Sequence, residues 1–499
     1  MLLSTLLAES SFEVISGDVE NREISGISID SRHTGKGELF VCLRGAKTDG
    51  HFFADKAYEK GCRVFLTERM LPELPDDALQ IKVKDTRREL AVISAVYRGH
   101  PSRSLHIIGI TGTKGKTTTA LLIHSILNAS GIKCAYVGSN GVIINGETVE
   151  TPNTTPESCE LQKYFRLMID SGITHVALEV SSQALDHCRV YGVDFDVAVY
   201  TNLYRDHIGP GEHASFDEYK SAKAKLFRDY RSRLVVYNKD DGYAGEIVGD
   251  RQDKDSVSFS EKDGKADYCA SSVSPFRDST ALGISFVCSH SGKAVGFKLK
   301  TPGDFSVYNA LAAIAVADSY GISPESSSDI LSDTTVTGRF EIVEGLEDRT
   351  FIIDYAHNGV SLRSALSVLR SYDPTRIICV FGSVGGRTRE RRQQLAEASS
   401  ELSDYSIITS DNPDFEPPSV ITGEIAGFFD KKARYEIIVD REAAVRRAVR
   451  MSEPGDIVLF AGKGHERYQL TDGVRVPFSE REIILDECNK IKAEKESDS

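Results

Sequence analysis

Between Ile108 and Thr119 the chain reads IGITGTKGKTTT, and the helix-forming run ALLIHSIL follows. An apolar strand that turns through glycines into a helix start makes a cradle for an anion. The turn's N–H groups and the helix N-terminus present partial positive charge, Lys116 adds a full one, and the Thr117 hydroxyl is placed to reach a magnesium ion. The spacing departs from G-x-x-x-x-G-K-T, because residue 110 is isoleucine; glycines stand instead at 109, 112 and 115. A turn of this kind fixes a strand before it and a helix after it, and so predicts an α/β unit around it.

At 499 residues the chain exceeds what one hydrophobic core serves, and two to four domains are expected. Its net charge of -14 excludes broad binding to nucleic acid, which needs a surplus of Lys and Arg. Nine cysteines, scattered and never spaced C-x-x-C, read as buried thiols of a reducing compartment, with neither a disulfide frame nor a zinc site. The N-terminus MLLSTLLAESSFEV lacks a basic start and gains Glu9 and Glu13, which favours an amphipathic helix over a signal peptide. No apolar run reaches membrane-spanning length, so a soluble, cytoplasmic protein without membrane insertion is expected.

Taken in order, residues 1–99 alternate short β-like runs (ISGISID, LFVCLRG, VFLTER, IKVKD) with helices such as FFADKAYEKG and LAVISAVYRGH, a small α/β domain. His100-Pro101-Ser102 breaks the last helix and marks a boundary. Within this domain Ser31, Arg32 and Lys47 lie in polar turns that suit an anion, though alone they read as solvated. After the phosphate loop, THVALEVSS, FDVAVYTNL and LVVYN are apolar runs with polar ends. They suit a parallel sheet buried on both faces, whose ligands gather at the strands' carboxyl ends. Those ends carry Glu179, Ser181, Ser182, Asn202, Arg205, Asp206, His207 and Asn238. Singly such residues are usually satisfied polar groups; on one sheet with a phosphate loop they offer oxygen ligands to a nucleotide-bound metal. Residues 267–300 alternate as a β insertion, VYNALAAIAVADSYG is a helix, and SPESSSDILSD reads as a linker. From about 340 five strands alternate with four helices, a second doubly wound domain whose strand ends hold Asp354 to His357, Gly385 to Arg387, Asp411 to Asp414 and Gly462 to Glu466. The tail NKIKAEKESDS is expected to fray.

Residues alone leave two readings of the nucleotide site. Asp206-His207-Ile208-Gly209 fits D-x-x-G and Asn238-Lys239-Asp240-Asp241 fits N-K-x-D, as in a GTPase switch. Against it, the loop lacks the standard first glycine, and a second polar mouth asks for a second substrate.

A dozen ordered segments point elsewhere: DSRHTGKGELFVCLRG with TDG, TGTKGKTTT, TPNTTPES, EVSSQAL, TNLYRDH, SAKAK, YNALAA, GRFE, DYAH, GGR, DNP and GKGHE. In this order they resemble the Mur ligases, and more narrowly the branch that adds the third amino acid of the peptidoglycan stem. The resemblance covers nearly the whole chain. It implies an α/β protein of three domains: 1–99 for the uridine nucleotide, 100–338 as a P-loop-type ATPase sheet with a β insertion, and 339–499 as a Rossmann-like domain for the incoming amino acid.

The resemblance implies ATP on Gly112, Thr113, Lys114, Gly115, Lys116, Thr117 and Thr118, with the adenine end near Asn309. It places Mg2+ on Thr117, Glu179 and His207, and on Lys223 once carbon dioxide has turned that amine into a carbamate; Lys225 is the neighbour with which it could be confused. Lys116, Lys223, His207 and Glu179 are the implied catalytic set. The substrate UDP-MurNAc-L-Ala-D-Glu is implied to touch Ser31, Ala46, Lys47, Thr48, Asn153, Thr154, Thr155, Ser181, His187 and Arg189. A free amino acid is implied on Arg387, Asp411, Asn412, Pro413, Asp414, Gly462 and Glu466. The implied reaction activates the D-Glu carboxylate as an acyl phosphate and captures it with the amine, which asks for positioning and charge neutralisation and no nucleophilic side chain. A monomer is expected, and a non-catalytic nucleotide-binding partner in a cell-wall complex is the remaining alternative.

One departure bears on the acceptor. Ligases of this family that add meso-diaminopimelate resemble D-N-P-R at the mouth, and here the fourth residue is Asp414. An aspartate should repel a second carboxylate, so the expectation leans to L-lysine or another diamino acid, with meso-diaminopimelate as the alternative and Arg389, Arg391 and Arg392 as replacement cations.

Overall fold

The structure is a computed structural model that describes residues 1–45, 48–206, 208–209, 212–253, 255–277, 282–336 and 338–497. It divides into two compact units. The first joins Met1–Cys269 with Tyr308–Ser327, and the second joins Ala270–Val307 with Ser328–Ser499.

The first unit opens on a five-stranded sheet in the order Glu13–Ser16, Leu79–Lys82, Val64–Thr67, Glu38–Val41 and Gly26–Ser28. The four strands after Glu13–Ser16 run parallel, and the helix Thr86–Arg98 packs Leu90 and Ile93 against Leu39, Leu66 and Ile81. Asp85 caps that helix by accepting from the N–H groups of Arg87 and Arg88, and Gly99, at φ 73°, ends it before Pro101. The amphipathic N-terminal helix is only Leu3–Leu6, with both leucines buried.

The sheet that follows carries the phosphate loop. Its strands run Ser256–Ser260, Leu234–Asn238, Val197–Tyr200, His106–Thr111, His175–Glu179 and Cys134–Gly138, all parallel, and then Gly141–Ile144 and Glu147–Val149, antiparallel. Every residue of Val197–Tyr200, His175–Glu179 and Leu234–Asn238 is buried, as unbroken apolar runs with helices on both faces require. Register sets Glu179 beside Ile110 and Tyr200 beside Thr111, so the polar ends arrive at one edge.

In the second unit, six strands lie in the order Glu341–Val343, Thr350–Asp354, Ile457–Ala461, Ile377–Phe381, Tyr405–Ile408 and Tyr435–Ile437. Only the first is antiparallel. All five strands expected from the sequence are there, and the β insertion contains the antiparallel pair Leu282–His290 and Lys293–Leu299. Among the described residues no helix is long and apolar enough to cross a membrane.

Two expectations are corrected. The Ser/Asp-rich segment read as a linker is a helix, Pro324–Asp333, with proline at its start and Ser327 and Leu331 buried. The tail does not fray within the described residues: Glu480–Ser497 is helical, because Ile484 and Cys488 are buried and Arg446 and Arg450 pair with Asp486, Glu487 and Glu494. Polar composition hid both, since one buried residue per turn or two suffices to dock a helix.

Candidate active site

The strand His106–Thr111 enters the helix Lys116–Ala129 through Gly112 to Gly115. Gly115 sits at φ 85°, and a Cβ there would strike the Asn309 side chain, so that turn accepts only glycine. The loop is pinned from the next strand end. Thr201 Oγ1 donates to the Lys114 carbonyl at 2.7 Å, Asn202 Nδ2 donates to the same oxygen at 3.0 Å, and the Lys114 N–H returns a bond to Asn202 Oδ1 at 2.9 Å. Asn309 meets the helix start itself, where its Oδ1 accepts from Thr119 Oγ1 at 3.3 Å.

Two ammonium groups converge on one carbonyl oxygen. Lys116 Nζ donates to the Gly112 carbonyl at 2.8 Å and to that of Thr113 at 3.0 Å; Lys223 Nζ, on the helix Phe216–Arg228, donates to the Gly112 carbonyl at 2.7 Å. Lys223 is 1% exposed, and burial, together with the charge of Lys116, holds its amine well below the ordinary lysine range. Lys225, its possible double, is partly exposed and paired with Asp186.

Glu179 is fully buried at the end of its strand. Its Oε2 accepts from Thr117 Oγ1 at 3.0 Å, and its Oε1 accepts from the Tyr136 hydroxyl at 2.6 Å and from the Ser139 N–H at 2.9 Å. Sequence reasoning passed over Tyr136 and Ser139. The Asn145-Gly146 turn, left-handed at φ 50° and 85°, signals only the hairpin of Gly141–Ile144 with Glu147–Val149, which follows the strand Cys134–Gly138 that bears Tyr136.

From Glu179 the polar strip continues. Thr155 Oγ1 donates to the Glu179 carbonyl at 2.7 Å and accepts from the Ser181 N–H at 3.1 Å, and Ser139 and Thr154 hydroxyls lie 3.1 Å apart. Arg189 donates to the Thr155 carbonyl at 3.2 Å and pairs with Glu157 at 2.9 Å. Half-buried His187, its pKa lowered by burial and by Arg87 and Arg189, lines a 410 Å³ cavity with Gln183, Asp186, His213 and Lys225. Arg87 of the first sheet's helix reaches Glu157 at 3.6 Å, which joins the N-terminal sheet to this strip. Ser31 is buried in the turn after Gly26–Ser28, Thr48 is exposed, and Asn153 is half-buried. Ala46, Lys47 and His207 lie outside the described residues.

The N-K-x-D match has an internal explanation. Asp241 accepts from the Tyr200 hydroxyl at 2.7 Å and from the N–H groups of Leu203 and Tyr243 at 3.0 Å, while Asn238 donates to the Thr201 carbonyl at 2.9 Å. Both are fastened to the sheet edge, and neither is presented to a guanine.

In the second unit a buried polar network underlies the strand ends. Asn412 Nδ2 donates to Glu466 Oε2 at 2.7 Å, Lys463 Nζ donates to Asn412 Oδ1, and Asp411 lies 3.5 Å from Lys463. Burial raises the Glu466 carboxyl, against the pull of Lys463. Arg441, 2% exposed, donates to the Ser410 carbonyl at 3.0 Å and the Ala461 carbonyl at 2.8 Å, and pairs with Glu480 at 2.8 Å, so it ties together the two strand ends that bear Asp411 and Gly462. Lys463 was legible within the GKGHE strand end, whereas Arg441 and Glu480 had no signature beyond their charge. Pro413 is buried with its carbonyl against Gly385, and Gly462, at φ 112°, lies over Asp411. Arg387 is exposed and has no ion-pair partner among the described residues. Two replacement cations are already committed: Arg392 pairs with Glu416 and Glu424, and Arg391 donates to the His357 carbonyl; exposed Arg389 lies over the Phe428 ring at 5.3 Å. Asp414 is half-buried, and its carboxylate accepts from the Gly473 N–H at 2.9 Å.

Comparison with known proteins bears on all three segments. Family models described as Mur ligase family, catalytic domain, as Mur ligase middle domain, and as Mur ligase, glutamate ligase domain match residues 23–98, 110–317 and 338–464. A Clostridium perfringens protein named UDP-N-acetylmuramoyl-L-alanyl-D-glutamate--2,6-diaminopimelate ligase is 37% identical over 494 residues, which cover 97% of this chain and 99% of that one. A Bacillus cereus protein of the same name is 36% identical over 472 residues, 93% of this chain and 94% of that one. A solved structure of a ligase so named superposes with a TM-score of 0.68 at 27% identity, covering 99% of both chains.

Proposed function

The chain belongs to the Mur ligase family, and from that premise we propose that it is the ATP-dependent ligase that joins 2,6-diaminopimelate to UDP-MurNAc-L-Ala-D-Glu in the cytoplasm. The observation that carries the reading is the meeting of Thr117, Glu179, Lys116 and Lys223 at the phosphate loop.

Thr117 Oγ1 and Glu179 Oε2, 3.0 Å apart, are hard oxygen donors of the kind magnesium takes, and Tyr136 and Ser139 hold the carboxylate in place. Bound there, the ion would neutralise charge on the β- and γ-phosphates. Lys116 swings from the loop carbonyls to the γ-phosphate as the D-Glu carboxylate oxygen attacks phosphorus and ADP leaves. The amine nitrogen then attacks the acyl carbon of the resulting acyl phosphate, the tetrahedral intermediate collapses, and inorganic phosphate departs. Burial and the charge of Lys116 push Lys223 towards its neutral amine, the form that takes up carbon dioxide, and as a carbamate it would add an anionic ligand beside Thr117 and Glu179. Thr154, Thr155, Ser181, His187 and Arg189 suit the diphosphate, sugar and dipeptide.

The lean towards L-lysine is withdrawn. The relatives are named for 2,6-diaminopimelate, and the carboxylate on which the lean rested is occupied by the Gly473 N–H. Phosphate release from ATP, measured against a panel of amino acids, tests the reading. Release is expected only with UDP-MurNAc-dipeptide and an amino acid together, with diaminopimelate the best acceptor. Release driven by GTP with neither cosubstrate overturns it, and preference for L-lysine overturns the choice of acceptor.

A further inference from the structure

Residue 414 stands in the turn that presents Asp411 and Asn412, yet three of its atoms are bonded to a hairpin 54 or more positions along the chain. That hairpin pairs Tyr468–Thr471 with Val474–Pro477. The Asp414 N–H donates to the Leu470 carbonyl at 3.0 Å, the Asp414 carbonyl accepts from the Asp472 N–H at 2.9 Å, and the carboxylate accepts from the Gly473 N–H at 2.9 Å. Its backbone is left-handed at φ 51°, a conformation that aspartate and asparagine tolerate better than other side chains.

The hairpin in turn grips Asn412. The Leu470 N–H donates to Asn412 Oδ1 at 2.9 Å, Lys463 bridges Asn412 Oδ1 and the Tyr468 carbonyl, and Gln469 donates to Ser410 Oγ at 2.6 Å. With two donors on Oδ1, the amide has one orientation, and its Nδ2 is directed to Glu466.

On the ligase reading above, we propose that Asp414 is a positioning residue: it latches the 468–477 hairpin onto the turn, so that Asn412 and Glu466 form a fixed seat for the acceptor's amine, and its charge takes no part in choosing the acceptor. Asparagine keeps the oxygen acceptor and the left-handed backbone while removing the charge. Alanine removes the acceptor and is strained at that φ.

Steady-state kinetics of full-length Asp414→Ala and Asp414→Asn read the two claims apart. Asp414→Ala is expected to raise the KM for diaminopimelate severalfold, up to roughly tenfold, the cost of one ordinary hydrogen bond, with KM for ATP and for UDP-MurNAc-dipeptide unmoved. Asp414→Asn is expected to restore that KM and to leave the ratio of diaminopimelate to L-lysine use at the wild-type value. A shifted ratio in Asp414→Asn shows that the charge selects and overturns the second claim; an unaltered acceptor KM in Asp414→Ala overturns the first. Amide exchange at Asp472 and Gly473 gives a readout independent of turnover. Faster exchange in Asp414→Ala than in Asp414→Asn supports the latch, and equal protection refutes it, even where the wild-type protein uses no amino acid and the ligase reading itself has failed.

Discussion

A single carbonyl oxygen, that of Gly112, receives both Lys116 and Lys223, and this convergence makes the phosphate loop's residues testable one at a time. Lys116→Ala removes the full charge that the proposed reaction sets against the transferring phosphoryl group. It is expected to slow phosphate release by at least about 10²- to 10³-fold, the cost of losing one oxyanion donor. Tyr136→Phe leaves Glu179 with one donor fewer on Oε1. A hydrogen bond to a charged group contributes about 1.5–3 kcal/mol, so the magnesium concentration for half-maximal release should rise; an unchanged magnesium dependence would remove Glu179 from the metal site. The glycines, Lys116 and Thr117 were legible in the sequence because their chemistry is local to one turn. Tyr136 was not, because only strand pairing brings it to Glu179.

At the scale of elements, two neighbouring strands of the first unit begin on stacked imidazoles. His106 and His175 are in register, their ring centroids 4.6 Å apart, with Tyr320 against both and Asp196 3.4 Å from His106. Burial, with the charge of His106, lowers His175 from its ordinary 6.5 to about 4. A histidine lowered in the folded state resists a proton that the unfolded chain accepts. Its contribution to stability is therefore complete above about pH 6.5 and is lost as pH falls towards 4. Urea midpoints across that window should fall in the wild type and fall less steeply in His175→Gln. In the second unit, the terminal helix supplies Glu480 to buried Arg441. Glu480→Gln takes from the guanidinium its hydrogen-bonded carboxylate and leaves only the charges of Asp411 and Glu466, which is expected to lower the urea midpoint at a cost of up to about 3 kcal/mol. The five strands of that unit were legible because unbroken apolar runs have no other stable home. The helices Pro324–Asp333 and Glu480–Ser497 were not, because sparse buried positions in polar sequence carry little periodic signal.

For the whole molecule, the phosphate loop and the Asn412 network belong to different compact units, so a nucleotide's seat can be assigned to one of them. Magnesium-ATP at about 100 times its Kd adds about 2.7 kcal/mol to whatever it binds. Amide exchange in the Lys116–Ala129 helix is expected to slow accordingly; slowing confined to the second unit would misplace the nucleotide. By itself the sequence determined the strand, glycine turn and helix start proposed to bind phosphate, which runs become buried strands, and, through a dozen ordered segments, the family. Those are local matters: a turn's donors and a strand's apolarity are set by residues next to one another in the chain. Tertiary structure alone decided that Lys223 is the buried lysine and Lys225 the partly exposed one, that Asp241 serves its own sheet, and that Asp414 faces a hairpin. In each case the partner lies tens of residues away, and the electrostatic effect of a charge depends on what surrounds it after folding.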